Sequence, residues 1–397
     1  MCKWGNDVQI FWDWNTLFIY IFMAVVGAYC LSNNKHKIIV IKAIRIDFAW
    51  MIIFILWSGL AIFRCIDISG IGGTDAYGYV NYFQTCLDNN TSNIFSYRAE
   101  IGFRFFTRII RFITDDYRVY LLIIYSVIIS SYMFFLREFK DYNSSGVLYI
   151  VSFYYYLVTF CTIRSGLAAA IYLISITFLK KRKTVVAIIL AILSVLIHSS
   201  MVFYVGFYVF WFIYRNRIPR IKEAIFWAFI GYCAGKIFQM LVVNNIISVN
   251  FGTPIDVYVS YSINNGFFKD YWKIVVSQLI LMIVMIMCKK TNLKFYLQLT
   301  DIEAKKRFQF IYILCIYDLI LVPLLGVLNV WRGIEYMFWP RLVMWGYIIQ
   351  CLCKKSPQGE CKFVKAIAFL FGCAYLVFRI YTQYDIGGLM PYIIKLQ

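Results

Sequence analysis

Long apolar stretches narrow the choices for this chain more than any other feature. Segments such as Phe48–Phe63 and Ile274–Met287 recur from one end of the 397 residues to the other, and no interval between them is long enough for a separate soluble domain. A hydrocarbon core of roughly 30 Å takes about 20 apolar residues per helical crossing. Lipid offers no partner to exposed backbone groups, so spanning segments must be helices or closed barrels, and runs of this length predict helices. The expectation is an all-α, polytopic integral membrane protein with about 12 transmembrane helices, outer-face loops and an interfacial helix, forming a single membrane-embedded domain over 1–397. Composition agrees, because 62% of residues are hydrophobic and 15% charged, against roughly 25% charged in soluble domains.

The predicted spans are 11–31, 47–64, 119–136, 146–163, 165–179, 184–198, 199–214, 221–243, 273–288, 308–329, 341–353 and 362–380. The first is flanked by Trp12 and Trp14, and no A-x-A-like cleavage site follows it, so it reads as a retained helix. Lys35-His36-Lys37, Lys180-Lys181-Arg182-Lys183, Arg215 to Lys222, Lys289-Lys290 and Lys354-Lys355 alternate with the remaining loops and belong to the cytoplasmic side. Both termini then lie outside. This alternation accounts for the net charge of +19, without the interleaved basic and aromatic surface that nucleic acid requires.

Residues 184–214 test the assignment, because they are almost uninterruptedly apolar between two basic clusters. One helix would put a cluster on the wrong side. Two short helices, turning at His198-Ser199-Ser200, keep both inside. Each is short for a bilayer, so the turn is expected below the outer surface, in a protein-lined cavity where non-helical backbone is tolerated.

Lysine follows the insertion rule, whereas many arginines (Arg64, Arg98, Arg104, Arg108, Arg111, Arg118, Arg164, Arg332, Arg341 and Arg379) fall outside. The planar guanidinium fork suits bidentate binding of phosphate and carboxylate. Arg104, Arg108 and Arg111 also fit the edge of an interfacial helix over Ile101–Ile113 that meets lipid headgroups. Arg164, pressed between two spans, is expected to have a buried anionic partner.

Polar residues at the rim of spans are costly and are functional candidates by default. On the outer side these are Asp75, Glu100, Arg164, His198, Arg332, Glu335 and Arg341. Each has a plainer reading. Asp75 can cap a helix starting at Ala76, and Glu100 can pair with Arg98 or Arg104. His198 can satisfy a carbonyl, although imidazole also exchanges protons near neutral pH. Arg332 and Arg341 can snorkel to the interface, and Glu335 can pair with Arg332. Asp318 lies within a span with no evident role. Gly70-Ile71-Gly72-Gly73 lacks the lysine and serine of a phosphate loop and reads as a bend near the membrane. Cys65 and Cys86 share a polar loop and could pair in an oxidising compartment. Cys351-x-Cys353 with Cys361 lacks metal-ligand spacing, and neither a metal nor a cofactor is expected.

Three consecutive features resemble the signature of EpsG-type membrane proteins: Arg164-Ser165-Gly166-Leu167-Ala168-Ala169-Ala170-Ile171, the basic turn Lys180-Lys181-Arg182-Lys183, and Leu196-Ile197-His198-Ser199-Ser200. Gly73-Thr74-Asp75 with Tyr77 and Tyr79, Glu100-x-Gly102-Phe103, and Arg341 at the start of a late span add to the likeness. The match is fullest over 70–214; Ser165 stands where such proteins usually carry an amide. These proteins are similar to Wzy-type O-antigen and exopolysaccharide polymerases. The resemblance implies a membrane glycosyltransferase that uses a polyprenyl-diphosphate-linked oligosaccharide on the outer face of the bacterial inner membrane, together with membrane lipid and a chain-length co-polymerase as partners. Under it, Asp75 and His198 are catalytic candidates, and Arg164, Arg332, Arg341 and Glu100 are substrate-binding candidates. The competing readings are a flippase exporting the lipid-linked repeat unit and an O-antigen ligase or acyltransferase. Transporters of the first kind are built on internal repeats, and no convincing repeat is evident here.

Overall fold

A computed structural model describes residues 12–32, 38–41, 44–87, 99–139, 147–243, 302–327, 338–355, 358–384 and 387–394. The regular structure among the described residues is helical apart from an isolated bridge, Arg64 with Ile394, and one antiparallel ribbon, in which β1 (Ile38–Ile41) pairs with β2 (Ile44–Asp47), Ile38 opposite Asp47 and Ile41 opposite Ile44. The helices are α1 (Trp14–Ser32), α2 (Phe48–Phe63), α3 (Ala76–Thr85), α4 (Ile101–Ile113), α5 (Tyr117–Glu138), α6 (Val147–Val158), α7 (Ile163–Lys180), α8 (Thr184–Ile197), α9 (Val202–Tyr214), α10 (Ile221–Val243), α11 (Ile302–Val327), α12 (Phe338–Lys355) and α13 (Gln358–Gln383). All but α3 overlap a predicted span or the predicted interfacial helix; α3 falls within the segment 65–118 read as a loop, and the predicted span 273–288 lies outside the described residues. Tyr117–Glu138, Ile163–Lys180 and Lys362–Gln383 are long and apolar enough to cross a bilayer, and Trp14–Cys30, Phe48–Phe63, Tyr149–Val158, Thr184–Ile197 and Ser199–Tyr214 are shorter apolar helices. These mark a membrane protein; the count of about a dozen crossings is an expectation from sequence pattern.

The chain forms two compact units, 1–199 with 345–397, and 200–344. In the first, α7 is the enclosed helix, packed against α5 and α8. Its sequence explains both its formation and its position. Ala168-Ala169-Ala170 has high helix propensity, and Gly166 lets the helix close on Thr159, whose side chain would lie 2.8 Å from an added Cβ. The helix ends where Arg182 turns left-handed (φ 60), with Lys183 N–H donating to Phe178 O (3.0 Å) and Arg182 N–H to Leu179 O (3.0 Å). That pair of bonds is a Schellman ending. There Glu138, at the end of α5, takes both Lys180 and Lys181 as ion-pair partners. Arg164 lies at the other end of α7, about 24 Å away at 1.5 Å per residue.

On the Arg164 side, the segment 387–394 clasps the loop that follows α2. Cys65 N–H donates to Ile393 O (2.7 Å), Gly73 N–H to Gly388 O (3.1 Å) and Thr74 N–H to Gly387 O (3.4 Å). Tyr392 anchors the clasp, its N–H on Thr16 Oγ1 (2.7 Å) and its hydroxyl on Leu60 O (2.9 Å). Gly72 and Gly73 take positive φ (78° and 120°), and a Cβ there would collide with the Cys65 and Phe160 carbonyls. The glycines therefore do more than bend the chain, since they admit backbone contacts that no side chain would permit. The Cys65–Cys86 pairing is not formed: Cys65 is disulfide-bonded, whereas Cys86 keeps its thiol, which donates to Phe83 O.

In the second unit, α10 and α9 pack on α11. Phe207, Phe210, Phe310 and Tyr317 form its aromatic core, with Phe207–Phe310 centroids 5.7 Å apart and Phe210–Tyr317 5.6 Å.

Candidate functional site

The helical run over 184–214 breaks where the basic clusters require it. His198 leaves α8 in an extended conformation (φ −150, ψ 114), and a single 3-10 turn, Ser199–Met201, precedes α9. Freed from the helix, His198 and Ser199 turn to Glu100, the N-cap residue of α4. Glu100 Oε1 lies 3.0 Å from His198 Nδ1 and accepts from Ser199 N–H (3.0 Å) and Ser199 Oγ (3.0 Å). Glu100 Oε2 lies 2.8 Å from Arg164 Nη1. All three ionisable side chains are nearly enclosed, at 10–11% exposure.

Each participant is held by its own element. Gly102 brings the start of α4 against the end of α8, since a Cβ there would sit 2.7 Å from Leu196 O. Arg164 occupies the first turn of α7, where the helix dipole disfavours a cation. Glu100 offers the anion that both the arginine and that helix end favour. The turn before α7 is braced in turn by Arg64, which is 1% exposed. Its Nη2 donates to Tyr125 Oη (3.1 Å), which donates to Thr159 O (3.0 Å), and its guanidinium lies 4.0 Å over the Phe160 ring. No carboxylate partner of Arg64 occurs among the described residues. Aromatic faces and carbonyls stabilise the charge instead.

Burial alone would raise the pKa of Glu100. The hydrogen bond from His198, the charges of Arg164 and His198 and the Ser199 N–H outweigh it and bring the value down to about 2. Glu100 is therefore ionised at neutral pH and too weak a base to take a proton there. With Nδ1–H directed at this carboxylate, His198 presents Nε2 as the acceptor, the arrangement in which a carboxylate orients a general base. Arg164 faces the enclosed Oε2 as an ion pair.

The structure thus joins two of the predicted substrate-binding residues, Glu100 and Arg164, to the predicted catalytic His198. Glu100 pairs with Arg164, a partner from a distant segment, and Arg98 lies outside the described residues. Asp75 caps α3 without a side-chain capping bond. It follows Thr74, whose Oγ1 lies 2.8 Å from Cys161 Sγ, and so sits beside the turn leading to Arg164. Arg332 and Glu335 lie outside the described residues. Arg341 belongs to the second unit, where its fork closes on Asp318: Nη2 to Oδ1 at 2.8 Å, and Nε to Oδ2. Asp318, with no role evident in the sequence, is thereby accounted for. Ser199 and Arg64 were missed as contributors; the signal for Arg64 was an arginine at the C-terminal end of an apolar helix.

No curated protein and no solved structure matches this chain. The EpsG family model matches residues 47–394, which takes in both arginine–carboxylate pairs, the glycine loop and its clasp. The chain belongs to the EpsG family of polymerase-like membrane proteins.

Proposed function

We propose that the protein is a polysaccharide polymerase, a membrane glycosyltransferase that joins polyprenyl-diphosphate-linked oligosaccharide repeats into O-antigen or exopolysaccharide on the outer face of the inner membrane. The observation that carries this reading is the convergence on Glu100 of His198 and Arg164, from three separate segments of a family member. Glycosyl transfer from such a donor needs a base for the acceptor hydroxyl and charge stabilisation for the departing diphosphate. His198 Nε2 takes the hydroxyl proton as the oxygen bonds to the anomeric carbon. The bond to the diphosphate breaks, and polyprenyl diphosphate leaves with the electron pair. Positioned bases of this kind contribute about 10²- to 10⁴-fold. Glu100 orients the imidazole and stabilises the imidazolium. Arg164 holds that carboxylate in place. Asp75, from the neighbouring loop, positions the acceptor. The polymer's length would be set with a co-polymerase.

Gel electrophoresis of surface glycan from cells lacking the gene, with and without a restoring plasmid, tests the proposal. A polymerase null carries single-repeat glycan on its lipid acceptor, and complementation restores the ladder. Complete loss of surface repeats points instead to a flippase or a ligase, and an unchanged ladder rejects the glycan reading.

A further inference from the structure

Two helices of the first unit set different membrane thicknesses side by side. Helix α5 has 22 residues, about 32 Å at 1.5 Å per residue, enough for a full hydrocarbon core. Helix α8 has 14, which gives only about 20 Å. Both are registered against α7. At one end Glu138 of α5 pairs with Lys180 and Lys181, just before α8 begins. Towards the other, Tyr125 of α5 donates to Thr159 O (3.0 Å), in the turn that precedes Arg164. Tyr125 stands two turns inside Tyr117, so this turn falls about 12 Å short of the end of α5. His198 shares that lower level, because Glu100 joins it to Arg164. We propose that the bilayer thins along α8, so that its headgroup surface dips to His198 and membrane thickness governs access to the site. The effect on activity rests on the polymerase reading, whereas the dip itself does not.

Three observations carry the proposal. Along the whole of α8, Val185, Ile189, Ile192 and Leu196 are exposed, and only Ala187, Ala191, Ser194 and Ile197 are buried. Lipid therefore lies against the short helix itself, and neighbouring helices do not hide its shortfall. A lipid-facing stretch shorter than the hydrocarbon core is met by thinning of the bilayer. Secondly, the far end of α5 is apolar on its outside. Val119 and Leu122 are exposed there, as are Phe112 and Ile113 at the end of α4. Such residues need lipid at that height, so α5 does not simply project into water. Thirdly, α4 joins the two levels. It starts with Gly102 against Leu196 of α8 and ends at Ile113, just before α5. Arg108 and Arg111 alternate along it with exposed Phe105, Ile109 and Phe112, the pattern of a helix that lies between headgroups and hydrocarbon. Its climb of about 12 Å over a length of roughly 20 Å traces a sloping surface. At the foot of that slope a lipid-linked sugar meets His198 while its isoprenoid chain stays in hydrocarbon.

The test uses the purified full chain in dimyristoleoyl, dioleoyl and dierucoyl phosphatidylcholine, which share a headgroup and differ in thickness. A genetically encoded nitroxide residue replaces Leu196 in one sample and Val119 in another, and relaxation by oxygen against a water-soluble nickel chelate reports depth. In dioleoyl bilayers the two labels are expected at matching depths, although the fold sets them roughly 10 Å apart in level. A Leu196 label roughly 10 Å deeper than the Val119 label overturns the dip. So does a Val119 label in water with Leu196 at the headgroups, which would mean that α5 projects from a flat surface. If the label at Leu196 prevents folding, Ile192 one turn lower decides: it should lie about 6 Å deeper than Val119, and about 16 Å deeper overturns the dip. Polymer formation from lipid-linked repeats extracted from null cells should fall about tenfold from the thinnest bilayer to the thickest. Equal rates overturn control by thickness. Matching depths with no polymer in any bilayer support the dip and count against the polymerase reading instead.

Discussion

Glu100–Arg164 in the first unit and Asp318–Arg341 in the second are both arginine–carboxylate pairs within mostly apolar surroundings, yet they are built differently. The fork of Arg341 occupies both oxygens of Asp318, which is 1% exposed. The contact ties α11 to the start of α12. Glu100 instead shares one oxygen among His198 and the two donors of Ser199, and leaves the other less than fully satisfied. A closed pair fixes geometry; an open one, joined to an imidazole, can also handle a proton.

The largest expected effect separates the two. Glu100→Gln keeps the size of the side chain but removes the anion that orients His198, and polymer should fall by about 100-fold or more at unchanged protein level, read from the glycan ladder and an immunoblot of membranes. Full-length ladders from that variant would erase the distinction between the pairs. Next comes the second pair. Asp318→Ala strands the Arg341 charge and should cost about 3–5 kcal/mol, seen as a lower unfolding temperature in detergent. The double change Asp318→Leu with Arg341→Met should recover most of that stability and retain polymer, whereas Glu100→Leu with Arg164→Met should fold and make none.

Acid sharpens the contrast further. The pKa of Glu100 falls from 4.5 to about 2 on folding, so its contribution is complete above the unfolded value and disappears as pH drops through the folded one. The wild type should exceed Glu100→Gln by on the order of 3 kcal/mol above pH ~5. That gap should shrink as pH falls from about 4.5 towards 2, in unfolding temperatures taken across the range. The smallest effect belongs to the brace behind the site: Tyr125→Phe deletes the hydroxyl between Arg64 and Thr159 and should lower stability by about 1 kcal/mol with the ladder still present.

Features set by local pattern were legible in the sequence. Apolar runs marked the helices, the alternating basic clusters located the break at His198, and the spacing of arginines and aromatics outlined α4. What depends on distant partners was not. His198 is 98 residues from Glu100, and nothing near either residue signals the other. The ribbon of β1 and β2 was read as part of a cytoplasmic loop, because segments of four residues do not distinguish a strand from other states. Asp318 looked idle because its partner enters from another helix, and Cys65 and Cys86 looked like partners because they share a loop.

The clasp has a consequence for how the protein is made. Tyr392, which closes it on Leu60, is 332 residues further along the chain. At roughly 5–20 residues per second, the ribosome delivers that tyrosine about a quarter of a minute to a minute after α2. For that interval the glycine loop, and the turn before Arg164 that leans on it, are without their last hydrogen-bond partners. Completion of this loop therefore waits for residues 387–394, and a nascent chain that has not reached them lacks these hydrogen bonds.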